Sequence, residues 1–139
     1  KATLVTAVAA WNADETAATS TYGDISTWDV SAITNMSGLF LGQGAFNSDI
    51  SSWDVSSVTT MTNLFHTAST FNHDISGWDV SKVTDMYATF YKAYAFNQDL
   101  NGWDVGNVTT MREAFNYASS FDQQLCWYPV CLQILMAHL

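Results

Sequence analysis

A chain of 139 residues suits one domain, and its 48% hydrophobic content is enough for a sizeable core. Only 12% of it is charged, and the balance is one-sided, with 13 acidic residues against four basic and a net charge of −9. That field repels DNA, RNA and anionic bilayers, which excludes nucleic acid as the expected partner.

No apolar run reaches the roughly 18 residues of a membrane span. The chain begins at Lys1 without the basic start, apolar run and small-residue cleavage site of a signal peptide, which fits a mature chain or a fragment alike. Residues 1–23 stand outside the pattern that follows. Leu4, Val5, Val8 and Trp11 fall near helical spacing, so this stretch is predicted as a helical cap.

From Asp24 a unit recurs, D-[IL]-x-x-W-D-V-x-x-[IV]-T-x-M-x-x-x-F, closing on F-N. Its copies start at Asp24, Asp49, Asp74 and Asp99, and Trp28, Trp53, Trp78 and Trp103 keep a strict 25-residue spacing. Met36, Met61, Met86 and Met111 recur in step, as do Phe40, Phe65, Phe90 and Phe115. Val108, Met111, Phe115 and Ala118 sit at helical offsets, whereas the F-N-x-D-[IL]-x-x-W-D-V half alternates like a short strand. One strand and two helical turns are too little to bury their own apolar face, so the units are expected to stack. Ser31, Ser56 and Ser81 are placed to cap the helical halves, and Gly106 breaks that in the last copy.

The repeat then decays. Gln124 stands where an aspartate is due, Trp127 arrives one residue early, and an apolar tail with the only proline, Pro129, runs to Leu139. A cap over the last coil is the favoured reading; a docking strand through Leu132, Ile134 and Leu135, or a segment continuing in a longer parent, are the alternatives. Cys126 and Cys131 fit a small disulfide loop in an oxidising compartment or two free thiols, and C-x4-C alone is poor evidence for zinc.

The motif WDVSSVTTM-x-x-LF-x-x-AS-x-FN-x-DIS, over about residues 20–127, resembles the bacterial surface-protein repeat called BspA-like or Mycoplasma-lipoprotein-type, also seen in microalgal proteins. The resemblance implies kinship with leucine-rich repeats, an extracellular or cell-surface setting (an organelle lumen is the alternative) and a role in adhesion or protein interaction. It implies no shared catalytic residues.

Two acidic columns hold eight of the 13 acids: Asp24, Asp49, Asp74, Asp99 and Asp29, Asp54, Asp79, Asp104. Such carboxylates repel, and turn backbone N–H groups are the expected compensation; calcium is the sharper alternative, without the dense D-x-D spacing calcium loops use. Asn47, Asn72 and Asn97 are expected to tie coil to coil at a turn, and a row of Thr34, Thr59, Thr84 and Thr109 raises ice binding only weakly, since it would start helices. Tyr87, Tyr91, Tyr94 and Tyr117 crowd the variable positions and are the candidate interaction residues. His66, His73 and His138 form no metal motif, no nucleophile or phosphate loop occurs, and the sequons at Asn35 and Asn107 lie within the repeat itself.

These readings converge on an α/β solenoid: a leucine-rich-repeat-like, right-handed stack of about four 25-residue strand-plus-short-helix coils. Residues 1–23 form its helical cap, 24–124 the repeats and 125–139 a cap or docking tail. The expected function is a non-enzymatic interaction or adhesion module that binds protein, or a glycan, and needs no cofactor. The alternative is a structural subunit held in a larger complex by its apolar tail.

Overall fold

A computed structural model describes residues 2–127 and the backbone of 130–133. Helices α1 (Ala2–Ala13) and α2 (Glu15–Tyr22) lead the chain, and Asp14 caps α2 by accepting a hydrogen bond from the Ala17 N–H. Val8 and Trp11 of α1 are buried against the first repeat unit. The Trp11 indole donates to Ser48 Oγ at 2.9 Å, and its ring meets Trp28 edge-on at 5.7 Å.

The four units follow in register. Isolated parallel bridges join Asn35 to Thr60, Thr60 to Asp85 and Asp85 to Thr110, each 25 residues on. In unit one the N–H groups of Met36, Gly38, Phe40 and Gly42 donate to the carbonyls of Thr60, Thr62, Leu64 and His66. The same four bonds recur from unit two to three and from three to four. Equivalent rings stack: Phe40 on Phe65 at 5.4 Å, Phe65 on Phe90 at 5.5 Å and Phe90 on Phe115 at 5.2 Å. A second column, Phe46, Phe71, Phe96 and Phe121, lies beside it, with neighbouring rings of one unit 4.1–4.3 Å apart. These rings, with Met36, Met61 and Met86 and the valines at 30, 55 and 80, form one continuous core.

The local conformation within the units differs from the helix and strand that periodicity predicts. Apart from one 3-10 turn at Ile25–Thr27, residues 23–123 hold neither element. In place of a helix, 36–46 is a run of overlapping turns closed by Leu39→Met36, Leu41→Gly38, Gln43→Phe40 and Phe46→Gln43 backbone bonds, and units two to four repeat it. Every fourth residue takes positive φ: Gly38 and Gly42, then Asn63 and Thr67, Ala88 and Lys92, Glu113 and Tyr117. Alternating handedness turns alternate N–H groups outward to the next unit, which a continuous helix cannot do because it uses them internally. The expected helix caps at Ser31, Ser56 and Ser81 are therefore turn residues, bonded to the aspartates before them.

After Phe121 the chain enters an antiparallel hairpin of β1 (Gln124–Trp127) and β2 (Val130–Gln133), pairing Gln124 with Gln133 and Cys126 with Cys131. Leu125 and Trp127 face the core. Asn101 ties this strand to unit four, accepting from the Cys126 N–H and donating to the Gln124 carbonyl. Cys126 is disulfide-bonded, which removes the free-thiol alternative for it.

Candidate functional site

The aspartate columns are bonded within their own turns. Asp24, Asp49, Asp74 and Asp99 each accept the N–H two residues on, from Ser26, Ser51, Ser76 and Asn101, at 2.9 Å. Asp29, Asp54, Asp79 and Asp104 do the same with Ser31, Ser56, Ser81 and Gly106 at 3.0 Å. The serine hydroxyls, then the backbone N–H groups, hold Asp24, Asp29, Asp54 and Asp79 below the ordinary carboxylate value; for Asp49 and Asp74 the backbone bond leads. Among the described residues no three His, Cys, Asp or Glu side chains converge as metal ligands.

The asparagine and threonine rows, by contrast, bond unit to unit. Asn47 Oδ1 accepts from the Asn72 N–H, Asn72 from Asn97 and Asn97 from Asp122, at 2.9, 2.9 and 3.1 Å. Thr59, Thr84 and Thr109 hydroxyls donate to the carbonyl of the threonine one unit back. Buried indoles make the third tie: Trp53, Trp78, Trp103 and Trp127 donate to the carbonyls of Ile25, Ile50, Ile75 and Leu100.

The tyrosines fare differently from one another. Tyr91 stacks on His66 at 4.7 Å and meets Tyr117 edge-on at 5.6 Å. The Lys92 ammonium lies over both tyrosine rings, 5.2 and 5.5 Å from their centres. Tyr117 remains 50% exposed, so the cluster faces solvent. Tyr87 is set apart, its hydroxyl donating to Glu113 Oε2 at 3.4 Å, and Tyr94 is 44% exposed with no ring contact among the described residues. Lys92 and His66 lie in the variable stretches 91–95 and 66–70, where recognition is expected, but the sequence does not single them out beside the tyrosines. Aligning the units shows why they belong: 66 and 91 share one column, and 92 and 117 the next. Sequence reasoning also missed a groove of about 400 Å³ between α1 and unit one, lined by Leu4, Ala7, Tyr22, Trp28 and Ile33. The expected tail contacts at Ile134 and Leu135, and the side chain of Leu132, lie outside the described residues, as does His138. No described helix is long and apolar enough to cross a membrane.

In-register units, sharing columns of rings, amides and carboxylates, define a tandem-repeat protein whose asparagine, threonine and tryptophan columns bond one unit to the next. The chain belongs to the family described as Mycoplasma protein of unknown function, DUF285, whose model matches residues 8–128. That match agrees with the Mycoplasma-type surface repeat seen in the motif. No curated protein and no solved structure matches the chain.

Proposed function

We propose that the chain is a non-enzymatic interaction module of a surface or secreted protein, which binds a protein partner through Tyr91, Tyr117 and Lys92. One observation carries this: a solvent-facing aromatic cluster with its cation in place, mounted on a core of stacked phenylalanines. Tyrosine brings large contact area at low entropy cost, and a stiff scaffold lowers the ordering penalty of binding. The aspartates, asparagines and threonines that would otherwise suggest chemistry are bonded within the stack, which supports a binding rather than a catalytic role. In this reading the stack is a right-handed solenoid related to leucine-rich repeats, displayed outside the cytoplasm.

The test is adhesion of the purified chain to intact cells of its source, beside a Tyr91→Ala/Tyr117→Ala variant. Saturable binding that falls more than tenfold in the variant is expected, with loss after protease treatment of the cells. Equal binding by both chains overturns the site, and loss only after glycosidase treatment makes the partner a glycan.

A further inference from the structure

Unit one breaks the repeat at a core position. Ala68, Ala93 and Ala118 fill one column and are wholly buried, yet Gln43 stands there in unit one and stays partly exposed. Gln43 lines a cleft of about 200 Å³ between the α1–α2 junction and residues 43–48, together with Asn12, Asp14 and Glu15. The polar groups of this cleft are largely uncommitted among the described residues. Asn12 Nδ2 is buried without an acceptor, and the Gln43 carboxamide bonds to no protein group. Ser48 Oγ accepts from the Trp11 indole and Asn47 Oδ1 from the Asn72 N–H, which leaves the Ser48 O–H and Asn47 Nδ2 to give. Asp14 uses one oxygen on the Ala17 N–H and keeps the other. A polar side chain that breaks a packed column without bonding inside the fold marks a site rather than a stacking contact.

We infer that this cleft binds one ring of a neutral sugar, free or at the end of a glycan. Amide donors beside carboxylate acceptors match hydroxyl groups, each of which gives and takes a hydrogen bond. The Asn12 carboxamide gives up no bond on turning toward such a group. Exposed Ala13 and Ala45 add an apolar margin for the C–H face of the ring. The size is selective: one water needs only about 10–15 Å³, and pockets for drug-sized ligands run to about 300–1,000 Å³. Asp14, Glu15 and the net charge of −9 turn away phosphate, sulfate and acidic sugars. A cation would suit the carboxylates but leave the Asn12 donor unmet. The cleft adjoins unit one, at the other end of the stack from the hairpin. It shares no residue with the tyrosine cluster and stands without that reading.

Heteronuclear NMR on the labelled full chain tests it, with D-glucose, D-galactose, D-mannose and N-acetyl-D-glucosamine added in turn. Saturable shifts of the Asn12 and Gln43 side-chain amides are expected with at least one of these sugars, and none with sodium sulfate. Gln43→Ala restores the residue of the other units, so it should keep the melting temperature while weakening the sugar about tenfold. Asn12→Ala, which suits the α1 helix, should weaken it similarly. A glycan ending in the same sugar separates the two sources: tighter binding than the free sugar assigns a terminal residue, equal binding the free sugar, and either supports the site. No shift with any of these sugars, equal shifts in Gln43→Ala, or the same shifts with calcium chloride would overturn the inference. So would contacts in the free chain between the Asn12 carboxamide and residues after Gln133, because the chain would then fill its own cleft.

Discussion

Trp53, Trp78 and Trp103 each bury an indole and give its single donor to a carbonyl in the unit before, so one side chain supplies both packing and a polar tie. Trp78→Phe keeps most of the packing but leaves the Ile50 carbonyl without that donor. A cost of about 1–3 kcal/mol follows, read by urea denaturation. Phe65→Ala removes a ring that touches Phe40, Phe71, Trp78 and Phe90, and should cost about 3–5 kcal/mol. An equal, small loss for both would mean that the columns do not carry the stability. The aspartates act through protonation. Six of them are held below the ordinary value of 3.8, so the folded state keeps their protons off more readily than the unfolded chain does. Their contribution is therefore complete above the unfolded value and is lost as pH falls through the lower folded values. Urea midpoints should be level above about pH 5 and drop between about pH 4 and pH 2. Replacing Ser31, Ser56 and Ser81 by alanine removes the leading cause at Asp29, Asp54 and Asp79 and should shrink that drop. An undiminished drop would place the acid sensitivity elsewhere.

The element that sequence reasoning misread is the run of turns at 36–46 and its three copies. Offsets of three, four and seven place Val108, Met111, Phe115 and Ala118 on one face of a helix, yet a chain reversing hand every fourth residue gives those offsets too. Unit one held the distinguishing signal, since Gly38 and Gly42 stand four apart at φ 64° and 76°. The later units conceal it behind Asn63, Thr67, Ala88, Lys92, Glu113 and Tyr117, which tolerate the conformation because the ladder fixes it. The 25-residue period and the identity of the core columns were legible, because one contact repeated in register must use one residue type in every copy. The tyrosine patch was only half legible, since its lysine and histidine join it through column alignment and not through any local motif. Handedness yields a prediction at this scale. Thr67, a β-branched residue at φ 59°, carries strain that glycine would relieve, so Thr67→Gly should stabilise by up to about 1 kcal/mol. Gly42→Thr, the reciprocal change at φ 76°, should destabilise by about 1–2 kcal/mol. Both are read from thermal or urea midpoints, and a destabilising Thr67→Gly would show that the side-chain contacts outweigh the strain.

Stacking identical units places like charges above one another, and the whole molecule must bear the sum. Asp49 pushes Asp24 upward, and Asp29 and Asp79 both push Asp54 upward, against the hydrogen bonds that hold those carboxylates down. With 13 acids against four bases the field has little internal compensation. The Arg112–Glu113 pair at 3.3 Å is largely solvent-facing and offsets almost none of it. Self-repulsion of this kind weakens the compact state more than the expanded chain, and dissolved salt screens it. Raising ionic strength from about 0.01 M to about 0.15 M shortens the screening length from about 30 Å to about 8 Å. Four coils spaced about 4.8 Å apart span about 15 Å, so this interval brings the screening length below the length of the stack and screens its more distant carboxylates most. The thermal midpoint at neutral pH should therefore rise steadily with sodium chloride over this interval, and rise less in a chain carrying Asp54→Asn and Asp79→Asn. Asparagine keeps the side-chain acceptor that each turn needs while removing the charge, so the substitution isolates repulsion from turn geometry. A midpoint that is flat or falls with salt would show that the turn hydrogen bonds and the stacked rings dominate, with the acidic columns electrostatically inert.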